Sequence, residues 1–374
     1  MNRKDLLSGI KKNMTGIDFQ FLVMIYALLA FGLIMVFSAS SPIAFASKST
    51  NNDSFFYFKK QLVWALIGTG GLLFTANYDY RKYKKWAWHI YVLNIVMLLL
   101  VLIAGKSVNG AKRWIQFGGF SFQPTEFTKI FMIVFYAALL SETYKLIGKI
   151  KTLFVYGLFL GVVAFLIMLQ PHMSCTILIV ASVGIMMFVA GLKGSHIAIL
   201  GISATAGAFL LAVTSDYRKA RMLTFLDPFK DIRGDGWQIV QSIYAIASGG
   251  VFGSGLGQSR QKYMNIPEPQ NDFIFSILAE ELGFLGCLIV IVMFIYLIYR
   301  GIKIAMDAPD AFGKFMVSGI IGLVAIQFLI NVAVVTSTMP VTGMPLPFFS
   351  YGGTALAVTM TEMGIVLNVS KQSK

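Results

Sequence analysis

Long apolar runs separated by short polar segments dominate the pattern of the chain. A helix that crosses a bilayer requires about 20 mostly apolar residues. Ten runs approach or exceed this length, near residues 19–40, 61–77, 86–105, 125–141, 153–170, 174–191, 196–214, 273–299, 315–337 and 353–369. The pattern predicts an all-α integral membrane protein with about ten transmembrane helices. Because the runs follow one another along the whole sequence, we expect one polytopic membrane domain over residues 1–374.

The composition agrees with this interpretation. Hydrophobic residues make up 57% of the sequence and charged residues only 13%, whereas soluble globular domains carry about 25% charged residues. So few charges cannot give a compact body a polar surface, which argues against a soluble domain. The net charge of +14 does not indicate nucleic-acid binding, since the Lys and Arg residues lie between the apolar runs and form no basic face on a soluble fold.

The positions of Lys and Arg predict the orientation in the membrane. With the N-terminus placed in the cytoplasm, the inner segments hold 17 Lys and Arg residues and the short outer segments hold 6. Positive residues concentrate on the cytoplasmic side, so we expect both termini there. The first run is too long for the apolar part of a cleaved signal peptide, which spans about 7–15 residues, and is predicted to be a membrane span.

One long segment, residues 215–272, is predicted to be an extracellular loop between the seventh and eighth spans. Within it, residues 237–248 carry apolar side chains at helical spacing, which predicts an amphipathic helix at the outer interface. The glycine-rich stretch Gly253–Gly257 lacks the rest of a dinucleotide-binding motif and is interpreted as a flexible loop. The irregular stretch Met339–Gly353 cannot cross lipid, so at membrane depth it must line a cavity in the protein.

Asp272 is the first candidate for chemistry. Ionisable residues near membrane depth are candidates for function because an unpaired charge there is costly. Asp272 lies at the outer mouth of the eighth span, where partial desolvation would make its carboxylate a better base. The alternative is helix capping, because Asn and Asp are favoured at helix starts.

Two further sets of charges lie inside predicted spans. Glu280 and Glu281 follow about two turns into the eighth span. Glu126 and Lys129 share one face of the fourth span because they are three residues apart. One interpretation is contact with substrate through Glu126, Lys129 and Glu281, in which Lys129 neutralises a phosphate. The alternative for each set is a structural ion pair, since charges inside the membrane usually pair.

Cations also cluster at the predicted outer face. Lys112 and Arg113 precede the fourth span, and Arg218 and Arg221 follow the seventh. An arginine guanidinium donates two parallel hydrogen bonds and suits phosphate recognition, so these residues are candidates for substrate binding. Attraction to anionic lipid headgroups is the alternative. No Cys and His cluster has the spacing of a metal site, so no metal ligand is predicted.

Five motifs together give the chain a resemblance to a known family. They are Gly110–Ile115, Gln123–Lys129, Phe225–Pro228, Pro267–Gly283 and Pro340–Gly353, in that order along the sequence. The chain resembles the SEDS family of bacterial envelope proteins, which includes FtsW, RodA and SpoVE, over nearly its whole length. Residues 255–262 and 266–270 look closer to the division and sporulation branch, that of FtsW and SpoVE, than to the elongation branch.

The resemblance implies a fold of about ten spans in the bacterial cytoplasmic membrane, and the activity of a peptidoglycan glycosyltransferase. Such enzymes polymerise lipid II at the outer face and work with a class B penicillin-binding protein. The essential aspartate of the family falls on Asp272, and its polar residues of the fourth span fall on Glu126 and Lys129. The expected partners are therefore lipid II, that penicillin-binding protein and membrane lipids, without nucleic acid.

Two places depart from the family pattern. Many members have His-Thr immediately before the essential aspartate, where this chain has Gln270 and Asn271. These amides keep hydrogen-bonding groups at the two positions. After the fifth predicted span, His172 follows Pro171 where many members have an aspartate, so the role of that family carboxylate is not transferred to this chain.

The expected reaction joins two lipid-linked sugars, with Asp272 removing the proton of the attacking hydroxyl. Arg113, Lys129 and Arg221 are candidates to stabilise the departing pyrophosphate. A divalent cation can share that task, and the sequence leaves this cofactor open. A lipid II flippase would use the same cavity without needing a base. A scaffold that only activates its penicillin-binding partner is a third interpretation.

Overall fold

The computed structural model describes residues 16–108, 111–117, 120–196, 224–230, 232, 234, 236–263 and 265–373. Ten α-helices and three short strands follow one another in this part of the chain: α1 (Phe19–Ala46), α2 (Phe56–Asn77), α3 (Arg81–Ala104), β1 (Lys106–Val108), β2 (Ala111–Phe117), β3 (Phe120–Phe122), α4 (Pro124–Thr143), α5 (Ile150–Met168), α6 (Met173–Val189), α7 (Trp237–Gly249), α8 (Ile274–Met306), α9 (Ala311–Val335) and α10 (Gly353–Gln372). Short 3-10 turns lie after α1, at Lys48–Thr50, and after α4, at Tyr144–Leu146.

Nine of the ten predicted spans coincide with helices of the described chain, namely α1–α6 and α8–α10. Six of these helices are long and apolar enough to cross a membrane: α1, α3, α4, α5, α8 and α9. The seventh predicted span, residues 196–214, lies almost entirely outside the described residues. The predominantly helical, multi-span fold is therefore confirmed. The total of ten spans, the cytoplasmic termini and the extracellular position of residues 215–272 stay predictions.

A small antiparallel sheet, in the order β1-β2-β3, connects α3 to α4. The prediction of an all-α protein did not include it. Two residues separate each pair of neighbouring strands, and the sequence there reads Asn109-Gly110 and Gly118-Gly119. These dipeptides favour two-residue hairpin connections. The strands have only three to seven residues, so the pattern of long apolar runs does not indicate them.

The helices differ in how far they are enclosed by the bundle. Most residues in the apolar stretches of α4 and α9 are buried, whereas only 28% and 22% of those in α3 and α5 are. The exposed side chains of α3 and α5 include large apolar groups such as Leu100 and Phe154, which fits a lipid environment. α2 and α10 pack closely at Gly364. A side chain at this position would overlap the Thr75 hydroxyl and the main-chain oxygen of Leu72.

Asp310, the N-cap residue of α9, accepts three hydrogen bonds at one end of the bundle. Its carboxylate accepts hydrogen bonds from the Tyr80 hydroxyl at 2.6 Å, the Gly313 N–H at 2.8 Å and Arg81 Nε at 3.1 Å. Partial burial acts to raise the pKa of Asp310, but these hydrogen bonds and the Arg81 charge outweigh it and hold the pKa below its ordinary value. The contacts join the starts of α3 and α9. The candidate site lies towards the other ends of these helices.

Candidate active site

Asp272 lies in the turn that leads into α8, with its side chain half-buried. The N-cap position of α8 belongs to Phe273, so Asp272 precedes the capping position proposed as its alternative role. The side-chain amide of Asn331 on α9 donates to the main-chain oxygen of Asp272 at 2.7 Å. Gly343 faces the carboxylate, since a side chain there would come within 4.0 Å of Asp272 Oδ2. The aspartate is therefore held between α9 and the loop that follows it.

That loop, residues 336–352, runs between α9 and α10 and dips into the bundle. The rings of Phe348 and Phe349 are buried, and Phe349 packs 5.5 Å from Phe31 of α1 and 6.2 Å from Phe294 of α8, measured between ring centroids. A side chain at Gly32, midway along α1, would overlap the main chain of Phe348. The segment therefore packs against α1 and α8, and the expectation that it lines a cavity in the protein stays a prediction.

Polar side chains from three helices satisfy the carbonyl groups of the 336–352 loop. Gln327 Nε2 donates to the Pro345 oxygen at 2.8 Å, and Ser174 Oγ donates to the Thr342 oxygen at 2.7 Å. From α2, Gln61 Nε2 donates to the Ser350 oxygen at 3.1 Å. These hydrogen bonds fix the loop beside Asp272. They also connect it to the start of α6, where Ser174 lies.

Four buried polar atoms in the residues around Asp272 have no hydrogen-bond partner among the described residues. They are Gln270 Oε1, Asn271 Oδ1, Asn331 Oδ1 and Thr342 Oγ1. Buried polar atoms in native proteins are nearly always hydrogen-bonded, to protein or to water. These atoms are enclosed by protein, so the half-buried carboxylate of Asp272 lies beside a polar part of the interior. Gln270 stands at one of the two positions where the chain departs from the family pattern.

Glu281 forms a buried ion pair with Lys262 from the segment that precedes Asp272. Lys262 Nζ lies 2.7 Å from Glu281 Oε1, and the two side chains are 2% and 0% exposed. Ser38 of α1 donates to both carboxylate oxygens, at 2.8 and 2.6 Å. This geometry supports the structural alternative for Glu281 over the predicted contact with substrate.

Glu280 binds the same segment through main-chain groups. Its carboxylate accepts hydrogen bonds from the Ser259 hydroxyl, from the Arg260 N–H at 2.8 Å and from the Gln261 N–H at 3.3 Å. Glu280 and Glu281 together therefore hold residues 259–262 against α8. The sequence predicted a buried charge pair at this place but not its cation, because Lys262 lies in a segment that the pattern assigned to an outer loop.

Residues 250–262, which we call the glycine strap, form main-chain hydrogen bonds with α8 at a break in that helix. Gly283 has φ 65° and ψ −166°, which interrupts the helix. The N–H groups of Phe284 and Leu285 donate to the oxygens of Gly250 and Val251 at 2.9 and 3.1 Å. In return, the oxygens of Glu280 and Glu281 accept from N–H groups of the strap, those of Ser254 and Gly255, both at 2.9 Å. The interpretation of the glycine-rich stretch as a flexible loop is therefore wrong, since its backbone completes a broken helix.

The strap predicts a difference between two of its glycines. Gly253 and Gly257 have similar positive φ values of 81° and 82°, so alanine at either costs about 1–2 kcal/mol of backbone strain. A side chain at Gly253 would also overlap the main chain of Glu281, whereas at Gly257 nothing lies within 4 Å. We expect Gly253→Ala to lower the thermal unfolding midpoint clearly more than Gly257→Ala. Equal midpoints for the two purified variants would contradict the contact between strap and helix.

Glu126 and Lys129 form a second buried ion pair, on α4. Lys129 Nζ lies 2.7 Å from Glu126 Oε2, and both residues are buried. Glu362 of α10 is also buried, within electrostatic range of both. Glu362 is not among the predicted site residues, although an acid in the middle of the last apolar run carries the same signal as Glu126 and Glu281. The burial of Lys129 supports the structural pair over direct contact with a substrate phosphate.

Arg113 joins the small sheet to the turn before α6. Its Nε donates to the Gln170 oxygen at 3.2 Å, and a terminal nitrogen donates to the Pro171 oxygen. His172, in the same turn, has its Nδ1 3.4 Å from the Thr125 hydroxyl. Arg113 is half-buried and its neighbour Lys112 is exposed. The other two predicted cations, Arg218 and Arg221, lie outside the described residues.

The predicted amphipathic helix is present as α7, residues Trp237–Gly249. One face packs on α8 and α9 through buried Ile239, Val240 and Ala245. Ser242 donates to the main-chain oxygen of Val335 at 2.7 Å. The helix therefore rests on the bundle next to the start of α8. Within the described ranges, no group of three or more His, Cys, Asp or Glu side chains could hold a metal ion.

The fold and the site together define a class of protein. Several long apolar helices and buried charge pairs characterise a multi-pass membrane protein, and the family match given next places it in the cytoplasmic membrane. The sequence matches the cell cycle protein family of FtsW, RodA and SpoVE over residues 19–374, and the chain belongs to this family. The resemblance to the SEDS family is confirmed.

Individual relatives match over almost their whole length. Stage V sporulation protein E of Bacillus subtilis is 44% identical over 363 residues, which cover 96% of this chain and 98% of that protein. The probable peptidoglycan glycosyltransferase FtsW of Trichlorobacter lovleyi is 41% identical, covering 94% of this chain and 93% of that protein. Both relatives belong to the division and sporulation branch that the sequence resembles.

Solved structures share the fold. A chain from a peptidoglycan synthase complex that coordinates polymerization and crosslinking is similar with a TM-score of 0.79 and 26% identity, covering 95% of this chain and 98% of that one. The rod shape determining protein RodA of Thermus thermophilus is similar with a TM-score of 0.73 and 25% identity, covering 96% and 99%.

Proposed function

We propose that the chain is a peptidoglycan glycosyltransferase that polymerises lipid II at the outer face of the membrane, with Asp272 as the general base. The observation that carries this proposal is the half-buried carboxylate of Asp272 at the entry to α8, in a turn that Asn331 connects to the 336–352 loop through hydrogen bonds to the main-chain oxygens of Asp272 and Met344. A named relative, the FtsW of Trichlorobacter lovleyi, is a probable peptidoglycan glycosyltransferase. A half-buried carboxylate at this place can accept the proton of a sugar hydroxyl.

The proposed step is a direct displacement at one carbon atom. The 4-hydroxyl oxygen of an N-acetylglucosamine unit attacks the anomeric carbon of an N-acetylmuramic acid unit that carries undecaprenyl pyrophosphate. A new glycosidic C–O bond forms, the bond to the pyrophosphate oxygen breaks, and the configuration at that carbon inverts. The hydroxyl proton passes to Asp272, and the electron pair of the broken bond leaves with the pyrophosphate. One base at the acceptor side is sufficient for this step.

The pyrophosphate gains negative charge as it leaves, so cations nearby would stabilise the transition state. Of the predicted cations, Lys112 and Arg113 are the ones at the described surface, and Arg218 and Arg221 complete the proposed set. For Glu126, Lys129 and Glu281 we propose an indirect role in place of direct contact with the substrate. Their buried ion pairs would shape the walls of the site.

We further propose that the chain works with a class B penicillin-binding protein. A structurally similar chain comes from a peptidoglycan synthase complex that coordinates polymerization and crosslinking. Coordination of this kind requires the two activities to be held together, so a crosslinking protein is the partner that we propose. Lipid II and the surrounding membrane lipids are the other proposed partners.

The test is glycan formation from purified lipid II by the purified chain, alone and together with a class B penicillin-binding protein from the same genome. We expect long glycan products on a gel when both proteins are present. A flippase predicts no product but movement of lipid II across vesicle membranes. A scaffold predicts products only through the partner, which a partner lacking any glycosyltransferase domain excludes. Absence of product from the authentic complex would overturn the proposal.

A further inference from the structure

Asn331 on α9 contacts two separate parts of the site with one side chain. Its Nδ2 donates to the main-chain oxygen of Asp272 at 2.7 Å and to the main-chain oxygen of Met344 at 2.8 Å. The residue is 1% exposed, so water does not compete at the surface for these bonds. Asn331 therefore ties the turn that carries Asp272 to the 336–352 loop, and both to the rigid, mostly buried helix α9.

The two acceptors determine how the amide is oriented. Both are carbonyl oxygens, and only the NH₂ end of an asparagine has two hydrogens to donate. The reversed amide would place Oδ1 against two oxygens, which is repulsive. Oδ1 must therefore point away from them, and it has no hydrogen-bond partner in the part of the chain that the structure describes.

We propose that Asn331 is a positioning residue that holds the Asp272 carboxylate in place for proton transfer; this inference rests on the proposed function of Asp272. Asp272 lies in a turn before α8 begins, so its own helix does not fix its main chain. The hydrogen bond from Asn331 supplies that restraint from a neighbouring helix. A displacement of about 1 Å at a reacting group can cost about 100-fold in rate.

Gln327 provides a matched control one turn earlier on α9. Its Nε2 donates to the Pro345 oxygen of the same loop at 2.8 Å, and it is 4% exposed. Its amide therefore resembles that of Asn331 in helix, burial and loop contact, and the bond to Asp272 is the difference that the proposal concerns. Asn331→Leu and Gln327→Met replace each amide with an apolar side chain of similar shape, so both remove one anchor of the 336–352 loop.

The experiment measures kcat and KM for lipid II polymerisation by the complex with the penicillin-binding protein. We expect Asn331→Leu to lower kcat by about 10- to 100-fold with KM changed by less than about twofold, because alignment and not binding is lost. Gln327→Met should keep kcat within about threefold of wild type, since loss of a loop anchor alone does not move the base. If Asn331 had only a structural role, kcat would change to the same extent in the two variants.

Other outcomes separate this inference from the proposed function. If Asp272→Asn is inactive but Asn331→Leu has the same kcat as Gln327→Met, the positioning role is overturned while the base assignment stands. If Asp272→Asn is active, the base assignment fails, and with it the role of Asn331. Should Asn331→Leu not fold, Asn331→Ala leaves room for a water molecule to satisfy the two carbonyl groups. The same split between kcat and KM then decides.

Discussion

Asp272→Asn should abolish glycan polymerisation while leaving the protein folded. The substitution keeps the size of the side chain and removes its ability to accept a proton at neutral pH. General base catalysis contributes typically about 10²–10⁴-fold in rate, so product should fall below detection in a gel assay with purified lipid II. The Asn331 hydrogen bond goes to the main chain of Asp272, so it survives the substitution and the turn should keep its course.

The control for Asp272→Asn is Asp53→Asn. Asp53 lies in the connection between α1 and α2, its side chain is 34% exposed, and it pairs with Lys59 at 2.8 Å. It therefore tests the loss of a carboxylate that has no part in the proposed reaction, and we expect its activity to equal that of wild type. Asp272→Asn with wild-type glycan output, at equal amounts of folded protein, would refute the base assignment.

The second large effect concerns stability. Lys262→Met should destabilise the protein by about 3–5 kcal/mol, because it leaves the Glu281 carboxylate buried without its cation. Glu281 is 0% exposed and Lys262 is 2% exposed, so water cannot replace the lost partner. Equilibrium unfolding of purified protein in mixed detergent micelles measures the change in free energy.

Two further variants identify the cause of that loss. The double variant Lys262→Met with Glu281→Gln removes both charges and keeps an acceptor for Ser38, so it should recover most of the lost stability. Lys59→Met breaks the exposed pair with Asp53 and should change the unfolding free energy little, since surface pairs contribute little. A Lys262→Met variant as stable as wild type would refute the contribution of the buried ion pair to stability.

Much of the membrane architecture was predictable because it depends on local composition. Apolar runs of about 20 residues have few alternatives to a membrane helix, and nine predicted runs are helices in the described chain. The amphipathic helix α7 was predictable for the same reason, since the period of its apolar residues is visible in the sequence. The small sheet was not predicted because its strands are shorter than the window of such a pattern.

The contacts that build the site were harder to predict because they join residues far apart in the chain. Asp272 was recognised from its position at a span and from the family motif. Nothing in the sequence indicated that Asn331 would contact its main chain, or that Lys262 would pair with Glu281 across a break in α8. A break of this kind follows from the positive φ of Gly283, and many glycines in the sequence have no such role.

The 336–352 loop also sets the order in which the protein can assemble in the membrane. Its carbonyl groups are satisfied in part by Gln61, which is synthesised 289 positions before Ser350. Backbone without partners does not persist in lipid, so the loop can settle only where α1 and α2 already stand side by side. The amide of Gln61 on α2 therefore lacks its final hydrogen-bond partner until α9 and the 336–352 loop have been synthesised. Assembly of the site is complete only when α10 has also inserted.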